Sequence, residues 1–398
     1  MHPFFLSAVL LLVSCTPPQL QAPSSSAREG YFPGAEGESL YYQAIGGGPD
    51  TVVVVHGFQG NGSSYLAPDL QRLADGRTLL VYDQRGEGRS DSVQGLEHPG
   101  LEEHVRDLEA LRRHFGLERL RLFGHSGGAA IVVHYAGVHP QHVERALLVA
   151  PPPLVGAAYG ELTGQRFFAR LDSATWARMR ALEARIAQAE DPAVVCREII
   201  ATTLPRAFLA DSTALGRMRG DFCGAPPDRL RTRAARRDAF LRSQQGRDWH
   251  PILERIRVPV LIIHGEQDAI PAESARELAR ALPDGRVLIL PLADHLPWLD
   301  QPIKFFSAAD AFFRGICRGG HERVNPPQRQ RKASQTAREF KPHAPSVCRS
   351  AIEFSPLPLA GEGPGERAAE ACAGPSRTAP TYARQAPQER VNPPLEKR

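Results

Sequence analysis

Six short apolar runs recur along the chain, at residues 51–55, 78–82, 120–123, 146–149, 259–263 and 286–290. They are continuous rather than alternating, which is the pattern of strands covered on both faces in a parallel sheet. Between most of them lie helical patterns, at 64–74, 104–115, 127–138 and 272–282, and another at 303–313 follows the last run. Strand–helix alternation of this kind predicts an α/β fold, a mostly parallel sheet with helices on both faces. Residues 38–45 suit an antiparallel strand that opens the sheet. The rhythm breaks between Val149 and Pro259. This long stretch is Arg-rich and largely helical in pattern, and Gly and Pro punctuate it. We expect residues 151–255 to form a helical cap, inserted between two halves of the core at 31–150 and 256–318. Such a cap would cover the C-terminal edge of the sheet, where open α/β sheets hold their ligands.

Both ends differ from this middle. Residues 4–13 are an apolar run of signal-peptide length. The sequence Leu12-Val13-Ser14-Cys15 resembles the lipobox of bacterial lipoproteins, although no Lys or Arg precedes the run. That resemblance implies a signal at 1–14, a diacylated thiol at Cys15, and a tether at 15–30, with the protein exported to the bacterial cell envelope. A secreted, non-lipidated protein is the alternative. From Gly319 onward there are 12 prolines in 80 residues and almost no apolar periodicity. A segment this poor in apolar residues cannot offset its ordering entropy, so 319–398 is expected to be a disordered Pro/Arg-rich tail.

Charge changes little in this picture. The net charge is +4, but residues 319–398 contain 13 Lys and Arg against 8 Asp and Glu, which leaves the rest near neutral. Composition therefore gives no case for a nucleic-acid partner. No apolar run reaches the roughly 18 residues of a membrane-spanning helix. Six cysteines in 398 residues do not make a disulfide framework. Cys196 and Cys223 both fall in the cap, however, and a bridge and two buried thiols remain equally open. Nothing reads as a metal or nucleotide site, because no Lys-Ser/Thr follows the glycines at 46–48. No cofactor is expected.

The strongest chemical signal is Gly124-His125-Ser126-Gly127-Gly128. It fits G-x-S-x-G and lies between a strand and a helix, the setting of a nucleophile elbow. A turn this tight strains the serine and demands tiny residues two before and two after it. It also presents the hydroxyl at a helix head, with the Gly127 N–H facing a developing oxyanion. A second N–H is expected from Phe58 in the loop His56-Gly57-Phe58-Gln59-Gly60, with His56 in a structural role. A serine needs a base to take its proton. His295 and Asp268, each a few residues past a strand, complete the order Ser, acid, His. Asp268 would hold the second ring nitrogen of His295. Glu266 and Asp294 are the competing acids. Glu266 reads as a loop residue, and Asp294 adjoins His295, where side chains diverge.

These residues resemble those of α/β-hydrolase-fold serine hydrolases over about 31–315. The segment Asp83-Gln84-Arg85-Gly86-Glu87-Gly88-Arg89-Ser90 is similar to the D-x-R-G-x-G-x-S signature of that family, and its Asp-Gln-Arg-Gly form resembles proline iminopeptidases. The resemblance implies an eight-stranded type of sheet with an inserted cap, and a bracing role for Asp83 and Arg85. It implies hydrolysis of an ester or amide in a small substrate through an acyl-enzyme. Aminopeptidase, acyl-transfer and perhydrolase activities remain alternatives on the same triad. The elbow and the loop at His56 look more like those of esterases and lipases. Peptidases of this group grip a free amino terminus with cap carboxylates. Glu183, Glu190 and Glu198 offer candidates, and a solvated helix face explains them as well.

Overall fold

The structure is a computed structural model and describes residues 28–57, 60–91, 100–316 and 322–323. All of them belong to the first of two units, Met1–Arg349 and Ser350–Arg398. The signal at 1–14, the lipidation residue Cys15, the donor residue Phe58 and nearly all of the tail lie outside the described residues.

The strands are β1 (Arg28–Pro33), β2 (Ser39–Gly46), β3 (Asp50–Val55), β4 (Arg77–Tyr82), β5 (Leu120–His125), β6 (Val143–Val149), β7 (Val260–Gly265), β8 (Gly285–Leu290) and β9 (Glu322–Arg323). They form one sheet in the order β1-β2-β4-β3-β5-β6-β7-β8-β9. Pairing is parallel from β4 through β8 and antiparallel at both ends. The helices are α1 (Leu101–His114), α2 (Gly127–Val138), α3 (Ala158–Ala169), α4 (Ser173–Ile186), α5 (Pro192–Ala207), α6 (Pro227–Ser243), α7 (His250–Leu253), α8 (Ala272–Ala281), α9 (Pro297–Asp300) and α10 (Pro302–Phe313).

Strand β3 shows why the apolar runs are continuous. Val52 and Val54 join one hydrophobic cluster, with Phe123, Leu147, Ile263 and the helix residue Phe305. Val53 and Val55 join the other, with Leu122, Leu148, Ile262 and residues of α1, α2 and α8. Period-two alternation sends neighbours to opposite faces, and both faces are covered. Each fully buried Val or Leu contributes about 1.5–3 kcal/mol. The strand order reverses around β3, which lies between β4 and β5. Loops leaving the C-terminal ends of β3 and β5 therefore flank a crevice, the usual ligand position in open α/β sheets.

The cap comprises α3 to α6, and it shares one core with a sheet face. Leu182, Val195, Ile199, Phe222 and Leu230 belong to the same cluster as Val52 and Leu147. Cys196 and Cys223 form a disulfide with their Cα atoms 5.8 Å apart. Of the two readings left open above, the structure shows the bridge. It closes a loop of 27 residues, worth about 3–4 kcal/mol by chain entropy.

Several boundaries differ from the sequence reading. The helix expected at 64–74 is a turn followed by a short 3-10 helix, Asp69–Ala74. Pro68 has no N–H for a longer helix, and Asp83 Oδ1 takes the Ser63 N–H at 2.7 Å. Strand β1 begins at Arg28, inside the expected tether, because residues 28–33 pair with 39–44. At the cap's far end, Trp249 and Leu253 already pack in the sheet's second cluster, so the core resumes before residue 256. Strand β9 pairs Glu322 with Val287 and Arg323 with Arg286, within the segment expected to be tail.

Candidate active site

Ser126 lies at the junction of β5 and α2 with φ 50° and ψ −124°. A positive φ is costly for a residue with a Cβ, and such strain persists where its surroundings enforce it. Here three glycines allow it. A Cβ on Gly128 would lie 2.3 Å from the Val55 carbonyl oxygen, and one on Gly124 would lie 2.8 Å from the Ala129 Cα. One on Gly57 would lie 2.7 Å from the Ser126 Cβ. The Ser126 N–H donates to the Val149 carbonyl at 2.9 Å, which ties the turn to the end of β6.

The structure brings Ser126, His295 and Asp268 together. Ser126 Oγ is 3.0 Å from His295 Nε2, and His295 Nδ1 is 2.8 Å from Asp268 Oδ2. Asp268 Oδ1 accepts the Ile270 N–H at 2.9 Å, so both carboxylate oxygens are held. His264 Nε2 donates to the Ile270 carbonyl at 2.9 Å and fixes the same loop. Burial opposes a charge on His295. The Asp268 carboxylate, its hydrogen bond and the Asp294 charge overcome this and hold the imidazole above the ordinary histidine value. Burial likewise raises Asp268, but His295 outweighs it and holds the carboxyl below its usual range.

The competing acids are placed elsewhere. Glu266 is exposed. Asp294 is buried, but its carboxylate accepts the backbone N–H of His295 at 2.7 Å rather than the ring. Burial, and then the charge of Asp268, push Asp294 up to about 7, while Arg170 works the other way.

The oxyanion side is more constrained than the sequence showed. Gly127 opens α2, so its N–H is among those that no turn of the helix uses. The Gly57 N–H donates to the Tyr65 hydroxyl at 2.8 Å and is thereby engaged. The expected second donor, Phe58, lies outside the described residues. The Tyr65 hydroxyl in turn meets His125 Nδ1 at 2.7 Å, and His125 Nε2 meets the His295 carbonyl at 3.2 Å. Burial, then the nearby His295 charge, keep His125 neutral well below the ordinary value. A neutral ring with Nε2–H donating to the carbonyl leaves Nδ1 to accept from Tyr65. This chain links the loop after β3, the elbow and the His295 loop. Sequence reasoning missed Tyr65, because nothing in its neighbourhood marks it.

His56 has the structural role expected of it. Its Nε2 accepts the Gln84 N–H at 3.2 Å, and the Gln84 side chain donates to the His56 carbonyl at 2.7 Å. Asp83 accepts the N–H groups of Ser63 and Arg89 at 2.7 and 2.8 Å. Arg85 forks onto Asp107 with two contacts of 2.6 Å. Asp83 thus ties the segment after β4 to the turn at Ser63, and Arg85 ties it to α1.

Among the cap carboxylates, Glu183 pairs with Arg233 at 2.6 Å and Glu198 with Arg185 at 2.6 Å. Glu190 is exposed. Among the described residues, no cluster of three or more His, Cys, Asp or Glu is placed to hold a metal ion, and no helix is long and apolar enough to cross a membrane.

The profile of the alpha/beta hydrolase fold matches residues 50–302, more than half of the chain. The chain belongs to the alpha/beta hydrolase family. Within this family it is 34% identical over 120 residues to a proline iminopeptidase of Lactobacillus helveticus, a match covering 28% of this chain and 40% of that protein. The chain thus spans about two fifths of the length of that peptidase. It is 29% identical over 282 residues to a pimeloyl-[acyl-carrier protein] methyl ester esterase of Chromobacterium violaceum, covering 68% of this chain and 96% of the esterase. A solved esterase from Thermogutta terrifontis superposes with a TM-score of 0.54 at 23% identity, over 73% of this chain and 99% of that one.

Proposed function

We propose that this protein is a serine hydrolase that cleaves an ester of a small substrate. The observation that carries the reading is the unbroken line from Asp268 through His295 to Ser126, with spacings of 2.8 and 3.0 Å. His295 takes the Ser126 proton as Oγ attacks the carbonyl carbon. Asp268 orients the ring and stabilises the imidazolium. The Gly127 and Phe58 N–H groups bind the oxyanion. His295 then protonates the leaving oxygen, and an acyl-enzyme remains. Water, deprotonated by His295, releases the acid and restores the serine.

The aminopeptidase reading has its own support, in the Asp83-Gln84-Arg85-Gly86 segment and the iminopeptidase relative. Against it, arginines pair with Glu183 and Glu198, two of the three cap carboxylates that would meet a substrate amine, and the third, Glu190, is exposed. The match that spans 96% of the methyl ester esterase and 68% of this chain supports esters.

The Cys196–Cys223 bridge supports export, since disulfides persist in oxidising compartments. With the lipobox-like residues before Cys15, it supports a lipid-anchored envelope protein.

The test compares p-nitrophenyl butyrate with proline p-nitroanilide on the full chain, with Ser126→Ala as control and a fluorophosphonate as covalent label. The ester should turn over faster, and the label should react with wild type alone. Faster anilide cleavage would make the aminopeptidase reading the right one. Ester turnover by Ser126→Ala at the wild-type rate would overturn the mechanism.

A further inference from the structure

The cap carries a chain of aromatic rings that ends on the catalytic histidine. Phe208, at the end of α5, has its ring centroid 5.7 Å from that of His295. Phe167 of α3 stands 5.5 Å from Phe208 and 5.8 Å from Trp176 of α4. Phe168 stands 4.9 Å from Trp176 and is half exposed. Helix α3 buries none of its residues, so its two phenylalanines serve no core. Phe208 also packs against the core cluster, so the row runs from the core to the exposed Phe168, and apolar groups left exposed in a contiguous patch are candidates for a binding surface. Arg170, two residues on, turns away and directs its guanidinium to Asp294, the Ala207 carbonyl and the Gln267 carbonyl.

We propose that this strip binds the leaving group of the substrate, and that the substrate is an ester of an apolar, aromatic or long-chain alcohol. The inference rests on the serine-hydrolase reading and adds the substrate class. Chemistry decides which end of the substrate lies there. When the tetrahedral intermediate collapses, the bond from the carbonyl carbon to the alcohol oxygen breaks. The electron pair goes to that oxygen, and the proton on His295 Nε2 goes with it. The alcohol oxygen must therefore sit against His295, and its substituent must continue past the ring that borders the imidazole. Among the described residues of the cap, Phe208 is a ring in that position. The strip then extends outward by way of Phe167 and Trp176 to Phe168, where the released alcohol reaches solvent.

The test varies the alcohol and the acid separately. Ethyl, butyl, octyl and 2-(2-naphthyl)ethyl acetates share a leaving-group acidity close enough that differences report binding. On the full chain, kcat/KM should rise roughly 10–100-fold from ethyl to octyl or naphthylethyl acetate. Phe208→Ala and Trp176→Ala should each collapse that ratio to a few-fold. Phe168→Ala should affect octyl but not butyl acetate. The ratio of p-nitrophenyl octanoate to acetate should stay unchanged, and ratios within one variant are insensitive to loss of folded protein. A wild type indifferent to the alcohol, or variants that alter the acyl ratio instead, would overturn the inference and leave the hydrolase reading intact. So would a Phe168→Ala variant that loses cosedimentation with phosphatidylglycerol vesicles while its alcohol profile stays as in wild type. No turnover of any ester would overturn both.

Discussion

Arg170 of the cap lies 2.7 Å from Asp294 of the core, and Asp294 is the residue before His295. One guanidinium thus joins the cap to the loop that carries His295, the proposed base. It also binds the Gln267 carbonyl, next to Asp268. The two members of this pair act on His295 with opposite sign. The Asp294 charge raises its pKa, and the Arg170 charge lowers it.

The first prediction follows from those signs. His295 must be neutral to act as a base, so its pKa sets the acid limb of kcat/KM. Asp294→Asn should move that limb to lower pH, and Arg170→Gln should move it to higher pH. Shifts in the same direction would show that the pair acts on the loop by shape rather than by charge.

Asp294 also predicts a pH dependence of stability. Unfolded, it loses its proton near the ordinary carboxylate value; folded, it keeps it to about 7. Between those values the folded state binds the extra proton, so this contribution to stability is lost as pH rises. Asp294→Asn should exceed wild type at pH 8 by on the order of a few kcal/mol, with the gap closing toward pH 4. Urea midpoints at the two pH values measure this directly, and a gap independent of pH would refute it.

Gly57→Ala should damage the site through crowding. Its Cβ would lie 2.5 Å from the His125 carbonyl oxygen and 2.7 Å from the Ser126 Cβ. Overpacking of this kind costs about 1–3 kcal/mol, and misplacing the nucleophile by an ångström costs on the order of 100-fold in rate. Gly160→Ala is the control, because a Cβ there meets nothing within 4 Å. It should stabilise α3 by about 0.5–1 kcal/mol.

Tyr65→Phe should remove the acceptor for the Gly57 N–H and the partner of His125 Nδ1. Leaving buried polar groups unmet costs about 1–3 kcal/mol. The more telling readout is kinetic: kcat should fall by roughly tenfold or more while KM changes little, because the oxyanion loop loses its anchor.

Replacing both Cys196 and Cys223 by Ser should lower stability by about 3–4 kcal/mol, and dithiothreitol should do the same to wild type. Equal urea midpoints with and without reductant would mean that the cap does not depend on the bridge.

What the sequence reveals depends on how local the cause is. The strand runs stand out because burial on two faces forces continuous apolar residues. The elbow stands out because Gly124, Ser126 and Gly128 answer to a single steric constraint. His295 and Asp268 follow from chain order and strand ends. Residues 64–74 mislead because their apolar spacing is helical while Pro68 and the pull of Asp83 on Ser63 are not. Tyr65, Arg170 and the pairing of Asp294 with Arg170 escape notice for another reason. Each matters through a partner more than 55 residues away, such as His125 for Tyr65 or Asp294 for Arg170, and no local pattern encodes such a meeting. The Cys196–Cys223 bridge is not legible either, because a spacing of 27 residues does not by itself bring two thiols together.

The insertion of the cap has a consequence for how the molecule comes into being. Strands β6 and β7 are neighbours in the sheet, and Ala146 pairs with Val260. The whole cap must be synthesised between them, and closing so long a loop delays their pairing. Ser126 leaves the ribosome with the first half of the core, whereas Asp268 and His295 follow only after the cap. Until β7 and β8 dock, the nascent chain carries an ordinary serine hydroxyl with no base beside it. Ser126 thus gains the two partners of the proposed mechanism only once β7 and β8 have joined the sheet, while β9 is still to follow.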